Sequence, residues 1–240
     1  MTGLPVVDGL TIVQEGRVLR ATIDRGGENL MSMAMCETLI DLFSTPPPGC
    51  HVLHLRAEGP AFCLGRDRGG ADVDVLRHQA ETLVALNRAL AHGQLVTVAE
   101  VAGDAAGFGV GLAALSDVCV AGASARFWFP EIELGLAPTV VLAWLPGLVG
   151  RREAFRLTAT GMRVDGAEAA RLGLVTRVAP DDALAAEVQG EIDALLARPY
   201  ETHLEIRAFL RDTADLDRAT VDRMAVDRLV LASRRLASRG

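Results

Sequence analysis

The sequence contains no lysine, because all 24 of its basic residues are arginine. This absence excludes a catalytic Schiff base and a phosphate-binding loop built on lysine. Acidic residues are in excess, with a formal net charge of −7, and no run of arginine alternates with aromatic residues. We therefore expect no nucleic-acid partner, and an anionic ligand would need a local cluster of arginines.

Cysteine is also scarce, and its spacing is not that of a metal or disulfide framework. No two of the four cysteines form a CxxC pair, which favours a reducing compartment and no zinc site. His51 and His54 are three residues apart on a predicted strand, so they should face opposite sides and not share a metal. The first ten residues lack the pattern of a signal peptide, and no apolar run reaches about 18 residues. We expect a cytoplasmic protein with no membrane partner.

Aromatic residues make up only 4% of the chain, whereas 50% of it is hydrophobic. The core is therefore expected to consist mainly of Ala, Val and Leu. Periodicity predicts alternating elements, with strands in 10–24, 50–58, 95–103 and 117–129 and helices in 33–44, 78–92, from 107 and in 140–158. The recurring order of strand, strand and helix is typical of an α/β spiral. We expect a core over 1–180 and a helical region over 181–240.

Four segments resemble, in order, the signatures of the enoyl-CoA hydratase/isomerase (crotonase) superfamily. They are GPAFCLGRD at 59–67, the glycine-rich stretch 101–127, FPEIELGLAP at 129–138 and the run 144–178. The resemblance extends over about residues 10–235 and implies a crotonase-like ββα spiral core with a C-terminal helical region. It also implies an acyl-CoA substrate and a homotrimer or hexamer, in which 181–240 would serve packing or oligomerisation.

The first two signatures imply an oxyanion hole made from the backbone N–H groups of Arg66 and Phe108. Two such amides would stabilise the negative charge that develops on a thioester carbonyl oxygen. Gly65 and Gly107 would let the backbone turn and approach the ligand. The second amide would lie at a helix N-terminus, whose partial positive charge assists. The alternative is two glycine turns without chemical importance.

The third signature places Glu131 where hydratases and many isomerases of the family carry a working glutamate. A carboxylate beside an apolar acyl pocket has a raised pKa, which suits proton transfer at a carbon next to a thioester. The alternative is a surface glutamate or a charge at a helix N-terminus.

Two departures from the family pattern affect the predicted reaction. Gly111 occupies the position of the second glutamate of hydratases, and Thr139 occupies the position of an acid in some isomerase-like members. Glu100 and Asp104 could replace a carboxylate, but an ion pair of Glu100 with an arginine and a turn cap at Asp104 are favoured. With one carboxylate, isomerisation is favoured over hydration.

Other residues are expected to bind the substrate. Trp128 would narrow the acyl pocket or else pack in the core. Arg25, Arg66 and Arg68 could hold the CoA phosphates, because the guanidinium fork fits phosphate oxygens, or could be exposed charges. Asp67 completes the turn that carries Arg66.

The predicted function is that of an acyl-CoA enzyme of the hydratase/isomerase type, with isomerisation favoured. It requires no metal and no redox cofactor, since CoA is part of the substrate. Hydration, decarboxylation and C–C bond formation in a biosynthetic pathway are alternatives within the same class. A non-catalytic crotonase-like accessory subunit is the alternative from another class.

Overall fold

The computed structural model describes residues 4–70 and 72–237. Contacts divide the chain into two compact units, Met1–Tyr200 and Glu201–Gly240. None of the helices in these described stretches is both long enough and apolar enough to cross a bilayer.

The described part of the first unit contains ten strands: β1 (Leu10–Glu15), β2 (Val18–Ile23), β3 (Val52–Ala57), β4 (Ala61–Cys63), β5 (Val96–Val101), β6 (Asp104–Ala106), β7 (Val118–Gly122), β8 (Arg126–Trp128), β9 (Val164–Asp165) and β10 (Arg177–Ala179). They form a six-stranded sheet in the order β1-β2-β3-β5-β7-β10 and a four-stranded sheet in the order β4-β6-β8-β9. Strands β1 and β2 are antiparallel, and Glu15 pairs with Val18 across a turn in which Gly16 has φ 61°. Strands β3, β5 and β7 each continue into a neighbour in the second sheet, which confirms the predicted α/β spiral.

The helices are interspersed with the strands along the chain. Those of the first unit are α1 (Met33–Ser44), α2 (Val73–His92), α3 (Phe108–Ala114), α4 (Thr139–Leu142), α5 (Leu145–Val149), α6 (Arg151–Thr160), α7 (Gly166–Leu172) and α8 (Leu184–Leu196). A 3-10 helix spans Pro130–Leu134. The helices α9 (Tyr200–Thr213) and α10 (Arg218–Ala237) follow, and the second unit contains α10 and all of α9 after Tyr200.

The prediction of one helix over 140–158 was wrong, since α4, α5 and α6 divide this region. Pro146 stands in the first turn of α5, where its missing N–H costs nothing. Gly150 then adopts φ 78° between α5 and α6, a conformation that a helix cannot contain.

The larger sheet is covered on both faces. One face contributes Leu19, Leu53 and Leu55 to the main core. On the opposite face a second cluster joins the sheet to α8: Val18, Val52, Val96, Val98, Val120, Leu184, Val188 and Ile192. Helix α8 belongs to the first unit, which ends at Tyr200, and the division of the chain into a core over 1–180 and a helical region over 181–240 stays a prediction.

The core also uses the scarce aromatic residues. Phe43, Phe62, Phe127 and Phe129 are among the largest fully buried side chains. The core therefore contains aromatic rings in addition to the Ala, Val and Leu that the composition led us to expect.

Candidate functional site

The turn that carries Arg66 is fixed by backbone hydrogen bonds to Met31. The N–H of Met31 donates to Gly65 O at 3.0 Å, and the N–H of Asp67 donates to Met31 O at 2.9 Å. In this parallel pairing the intervening Arg66 N–H points away from Met31. It has no hydrogen-bond partner among the described residues. Gly65 adopts φ 130°, which explains the glycine at this position.

The second turn leads into α3. Gly107 has φ 51° and donates its N–H to Trp128 O at 2.9 Å. Phe108 is the first residue of α3, so its N–H has no acceptor within the helix. No acceptor for this N–H is found elsewhere in residues 4–70 and 72–237. The two amides predicted from the sequence are therefore both available to a ligand.

Two further glycines allow the turns to approach each other. A β carbon on Gly109 would stand 2.0 Å from Cys63 O, and one on Gly103 would stand 2.2 Å from Pro60 O. These distances are far shorter than any allowed contact, so α3 and the start of β6 pack directly on β4 and its preceding turn. Sequence reasoning did not assign this role to Gly103 and Gly109, although both belong to the glycine-rich stretch that it identified.

The Glu131 side chain extends from the 3-10 helix towards the second turn. Its Oε1 lies 2.7 Å from the point where a β carbon on Gly107 would stand. Its Oε2 is buried and finds no hydrogen-bond partner in the described part of the chain. Burial raises the pKa of this carboxyl, against smaller lowering effects of its own backbone amide and of Arg68. The acid thus lies beside the residue that precedes the Phe108 amide.

Gly111 faces side chains that sequence reasoning did not identify. A β carbon there would stand 3.4 Å from Trp144 Cζ2 and 3.8 Å from Asn87 Oδ1. An indole and an amide therefore border the position at which hydratases are expected to carry a second glutamate. Asn87 interrupts the apolar face that Leu83, Leu86 and Leu90 form on α2, and this irregularity was the available signal.

Two of the three arginines predicted to bind CoA have partners within the protein. Arg25 Nη1 lies 2.6 Å from Asp67 Oδ2 and donates to Leu30 O at 2.8 Å. Arg66 Nη1 donates to Asp67 O and to Gln79 Oε1, both at 3.0 Å. Arg68 is exposed. These contacts brace the turn of the first amide, and the binding of CoA phosphates by the three arginines stays a prediction.

Trp128 and Thr139 lie in different surroundings. Trp128 is 7% exposed, and the guanidinium carbon of Arg163 lies 4.1 Å from its ring centroid, a cation–π contact. Thr139 begins α4, is exposed, and donates its N–H to Ala137 O at 2.8 Å. The roles of Trp128 and Thr139 in substrate binding stay predictions.

The two additional acids have structural partners. Asp104 Oδ1 accepts the N–H of Arg126 at 3.0 Å, in keeping with a role in holding the local backbone. Glu100 Oε2 lies 2.9 Å from His54 Nε2, where an arginine partner was expected. The two atoms are close enough for an ion pair, but their geometry is not that of an aligned hydrogen bond.

A separate groove of about 1060 Å³ lies between α1 and α2. Its walls include Ile40, Phe43 and Leu76, and it contains none of the residues that carry the two amides or the acid. The chemistry instead favours the region around Gly107, where the Glu131 carboxylate lies beside the residue that precedes the unpartnered Phe108 amide.

Comparisons with known proteins identify the family to which the chain is similar. The model of the family described as enoyl-CoA hydratase/isomerase matches residues 14–232. A probable enoyl-CoA hydratase of Mycobacterium bovis is 35% identical over 144 residues, which is 59% of this chain and 56% of that protein. The cyclohexa-1,5-dienecarbonyl-CoA hydratase of Thauera aromatica is 29% identical over 175 residues, 72% of this chain and 68% of that protein. A Thermobifida fusca structure solved in complex with CoA has a TM-score of 0.89 at 28% identity, covering 99% of this chain and 100% of that one. The match to the first relative spans little more than half of its length.

Proposed function

Because the chain belongs to the enoyl-CoA hydratase/isomerase family, we propose that it acts on an acyl-CoA thioester through an enolate. The proposal is supported by two backbone amides, at Arg66 and Phe108, that have no hydrogen-bond partner among the described residues, and by the Glu131 carboxylate, which lies against Gly107 with a buried Oε2. The CoA in the Thermobifida fusca structure supports a CoA thioester as the substrate class. CoA enters as part of the substrate, and the proposed chemistry uses no metal or redox cofactor.

The two amides bind the thioester carbonyl oxygen. Glu131 as carboxylate removes a proton from the carbon chain, and the electron pair left behind moves into the carbonyl to form the enolate. The Arg66 and Phe108 N–H groups stabilise the resulting oxyanion, and losing one such donor typically costs about 2.7–4 kcal/mol of transition-state stabilisation. The protonated Glu131 then returns its proton to a different carbon. The net result is migration of the double bond with no change in composition.

We place isomerisation first because, in the described residues, Glu131 is the carboxylate that lies against Gly107, and Gly111 supplies no second acid. Proton removal and return need a single acid/base. Hydration is the second candidate, and the names of the Mycobacterium and Thauera relatives favour it. Product analysis with 3-enoyl, 2-enoyl and malonyl thioesters separates isomerisation, hydration and decarboxylation.

The proposed assembly is a homotrimer or hexamer. Large apolar side chains are exposed along one stretch of the first unit, among them Ile132, Leu134, Leu136 and Phe155. Apolar side chains concentrated in this way favour a surface that is covered by another subunit. Light scattering of the purified chain measures the mass directly, and a monomer at micromolar concentration contradicts the proposal.

The decisive test replaces the proposed acid/base. We expect Glu131→Gln to lower kcat by about 10²–10⁴, the usual contribution of general acid–base catalysis, while thioester binding is retained. Glu133→Gln is the matched control, because Glu133 lies on the same 3-10 helix and is exposed. Full activity of Glu131→Gln on a thioester that the wild type converts shows that another group is the base.

A further inference from the structure

The thiol of Cys63, the last residue of β4, donates a hydrogen bond to the carbonyl oxygen of Gly65 at 3.1 Å. That carbonyl and the N–H of Arg66 belong to one peptide unit, and this N–H is the first of the two proposed oxyanion donors. A peptide unit is planar, and across a trans bond its C=O and N–H point in opposite directions. Whatever fixes the direction of Gly65 O therefore also fixes the direction of the Arg66 N–H.

The same oxygen accepts a second hydrogen bond, from the Met31 N–H at 3.0 Å. A carbonyl oxygen has two lone pairs, so the thiol and the amide together occupy both. Hydrogen bonds that share a group polarise one another, by about 10–30% per bond. Electron density drawn towards Gly65 O leaves the Arg66 N–H a stronger donor. Because glycine restrains its own backbone least of all residues, these bonds also supply a restraint that Gly65 lacks.

Cys63 also contacts the turn of the second amide. A β carbon on Gly109 would stand 2.0 Å from Cys63 O and 2.9 Å from Cys63 Cβ, so the backbone of α3 packs directly on this residue. Gly109 immediately follows Phe108, whose N–H is the other proposed donor. Cys63 therefore lies between the two turns, with its side chain bonded to one and its backbone against the other.

The surroundings of the thiol keep it protonated. Cys63 is completely buried, and burial raises the pKa of its thiol to about 12, against smaller lowering effects of backbone hydrogen bonds with Gly65 and Met31. Near neutral pH the sulfur therefore carries its proton and can donate it to Gly65 O.

We propose that Cys63 is a positioning residue for the oxyanion hole, because its S–H bond to Gly65 O orients and polarises the peptide that presents the Arg66 N–H. This inference rests on the proposed function. The negative charge on the thioester oxygen is greatest in the transition state, so the bond matters most there. Its loss should lower kcat and leave KM nearly unchanged.

The first part of the test compares the steady-state kinetics of the wild type with those of three variants, on a thioester that the wild type converts. Cys63→Ala removes the donor, and kcat should fall by about tenfold, since small displacements of a catalytic donor are costly. Cys63→Ser places a hydroxyl donor against the same oxygen and should restore kcat. Cys119→Ala is the matched control, because it removes another buried free thiol, on β7, and should leave kcat unchanged.

The second part observes the bound thioester itself. Each Cys63 variant is combined with Glu131→Gln, so that crotonyl-CoA with an isotope-labelled carbonyl is not converted during the measurement. Hydrogen bonds to a carbonyl oxygen lower its stretching frequency, which infrared difference spectroscopy measures. With Cys63 present, we expect the frequency to fall on binding. Cys63→Ala should reduce this fall, whereas Cys63→Ser should keep it at least as large, because a thiol is only a weak donor.

Different results overturn different statements. If crotonyl-CoA does not bind, or its carbonyl frequency does not fall with Cys63 present, the proposed function is wrong and this inference with it. An undiminished fall in Cys63→Ala, or a loss of kcat that Cys63→Ser does not restore, overturns the role of the thiol alone. An equal loss of kcat in Cys119→Ala does the same, because any buried cavity would then suffice. Should Cys63→Ala not fold, a smaller frequency change in Cys63→Ser than with Cys63 overturns the inference.

Discussion

The carboxylate of Glu131 lies against Gly107, with Oε1 2.7 Å from the position of a β carbon on that glycine. Gly107 in turn precedes the amide of Phe108 and adopts φ 51°. One glycine therefore determines both the direction of the proposed oxyanion donor and the room available to the proposed acid/base. This arrangement joins two segments that are separate in the sequence.

Gly107→Ala should remove activity through both effects. The methyl group would displace the carboxylate, and the left-handed conformation costs a residue with a side chain roughly 1–2 kcal/mol. We expect a fall in kcat of at least about 10²-fold, comparable with the loss of one oxyanion donor, together with lower thermal stability. Gly190→Ala is the control, because Gly190 lies in α8 with nothing within 4 Å of the added carbon. That change should raise helix stability slightly and leave kcat unaltered.

The raised pKa of Glu131 has a consequence for stability. Folding buries this carboxyl and penalises its ionised form, so stability should decrease as pH rises from the ordinary glutamate value of 4.5 through the higher value in the folded protein. Glu131→Gln removes the penalty. The variant should be at least as stable as the wild type in denaturant near neutral pH, although its activity is lost. A clear decrease in stability would mean that the ionised carboxylate is favoured by the fold.

The same pKa governs the pH dependence of activity. Glu131 must be ionised to remove a proton, so kcat/KM should decrease as pH falls through a value above 4.5. In Glu131→Gln the residual activity should no longer show this acidic limb. An unchanged limb in the variant would assign the titration to another group.

The ion pair between Arg25 and Asp67, 2.6 Å apart, braces the turn that presents the Arg66 amide. Asp67→Asn should therefore lower kcat/KM by about tenfold, since small displacements of a catalytic donor are costly. Its effect on stability should be small, about 0–1 kcal/mol, because the pair is partly exposed. Glu15→Gln breaks the comparable 2.8 Å pair with Arg20 on the outer hairpin and should leave kinetics unchanged. Equal kinetics in the two variants would contradict the bracing role.

Glu100 is expected to contribute to stability and not to catalysis. The adjacent His54 side chain lowers the pKa of Glu100, with Arg56 and Arg20 as smaller causes. The stabilisation is therefore present above the ordinary value of 4.5 and is lost as pH falls through the lower value in the folded protein. Glu100→Gln should cost about 1 kcal/mol near neutral pH, because the carboxylate charge that faces His54 and the nearby arginines is lost. Denaturant unfolding should show the difference shrinking in acid, whereas Glu58→Gln, at the exposed pair with Arg56, should have little effect.

Local patterns in the sequence determined much of the fold. The α1 helix occupies Met33–Ser44 as its periodicity predicts, and the Glu15-Gly16 turn joins β1 and β2. Gly65 and Gly107 indicated two turns, and the resemblance to the family's motifs assigned the amides of Arg66 and Phe108 to them; neither amide has a hydrogen-bond partner among the described residues. The resemblance of the motifs to those of a known family then ordered these turns along the chain.

Only the tertiary structure decided which distant side chains meet at those turns. Nothing in the spacing of residues places Asn87 and Trp144 beside Gly111, or His54 beside Glu100, because these contacts join elements far apart in the sequence. The packing of α8 on the sheet likewise depends on the outward Val side chains of several strands together. Periodicity records which face of an element is buried, whereas the identity of the partner depends on how the spiral brings the elements together in three dimensions.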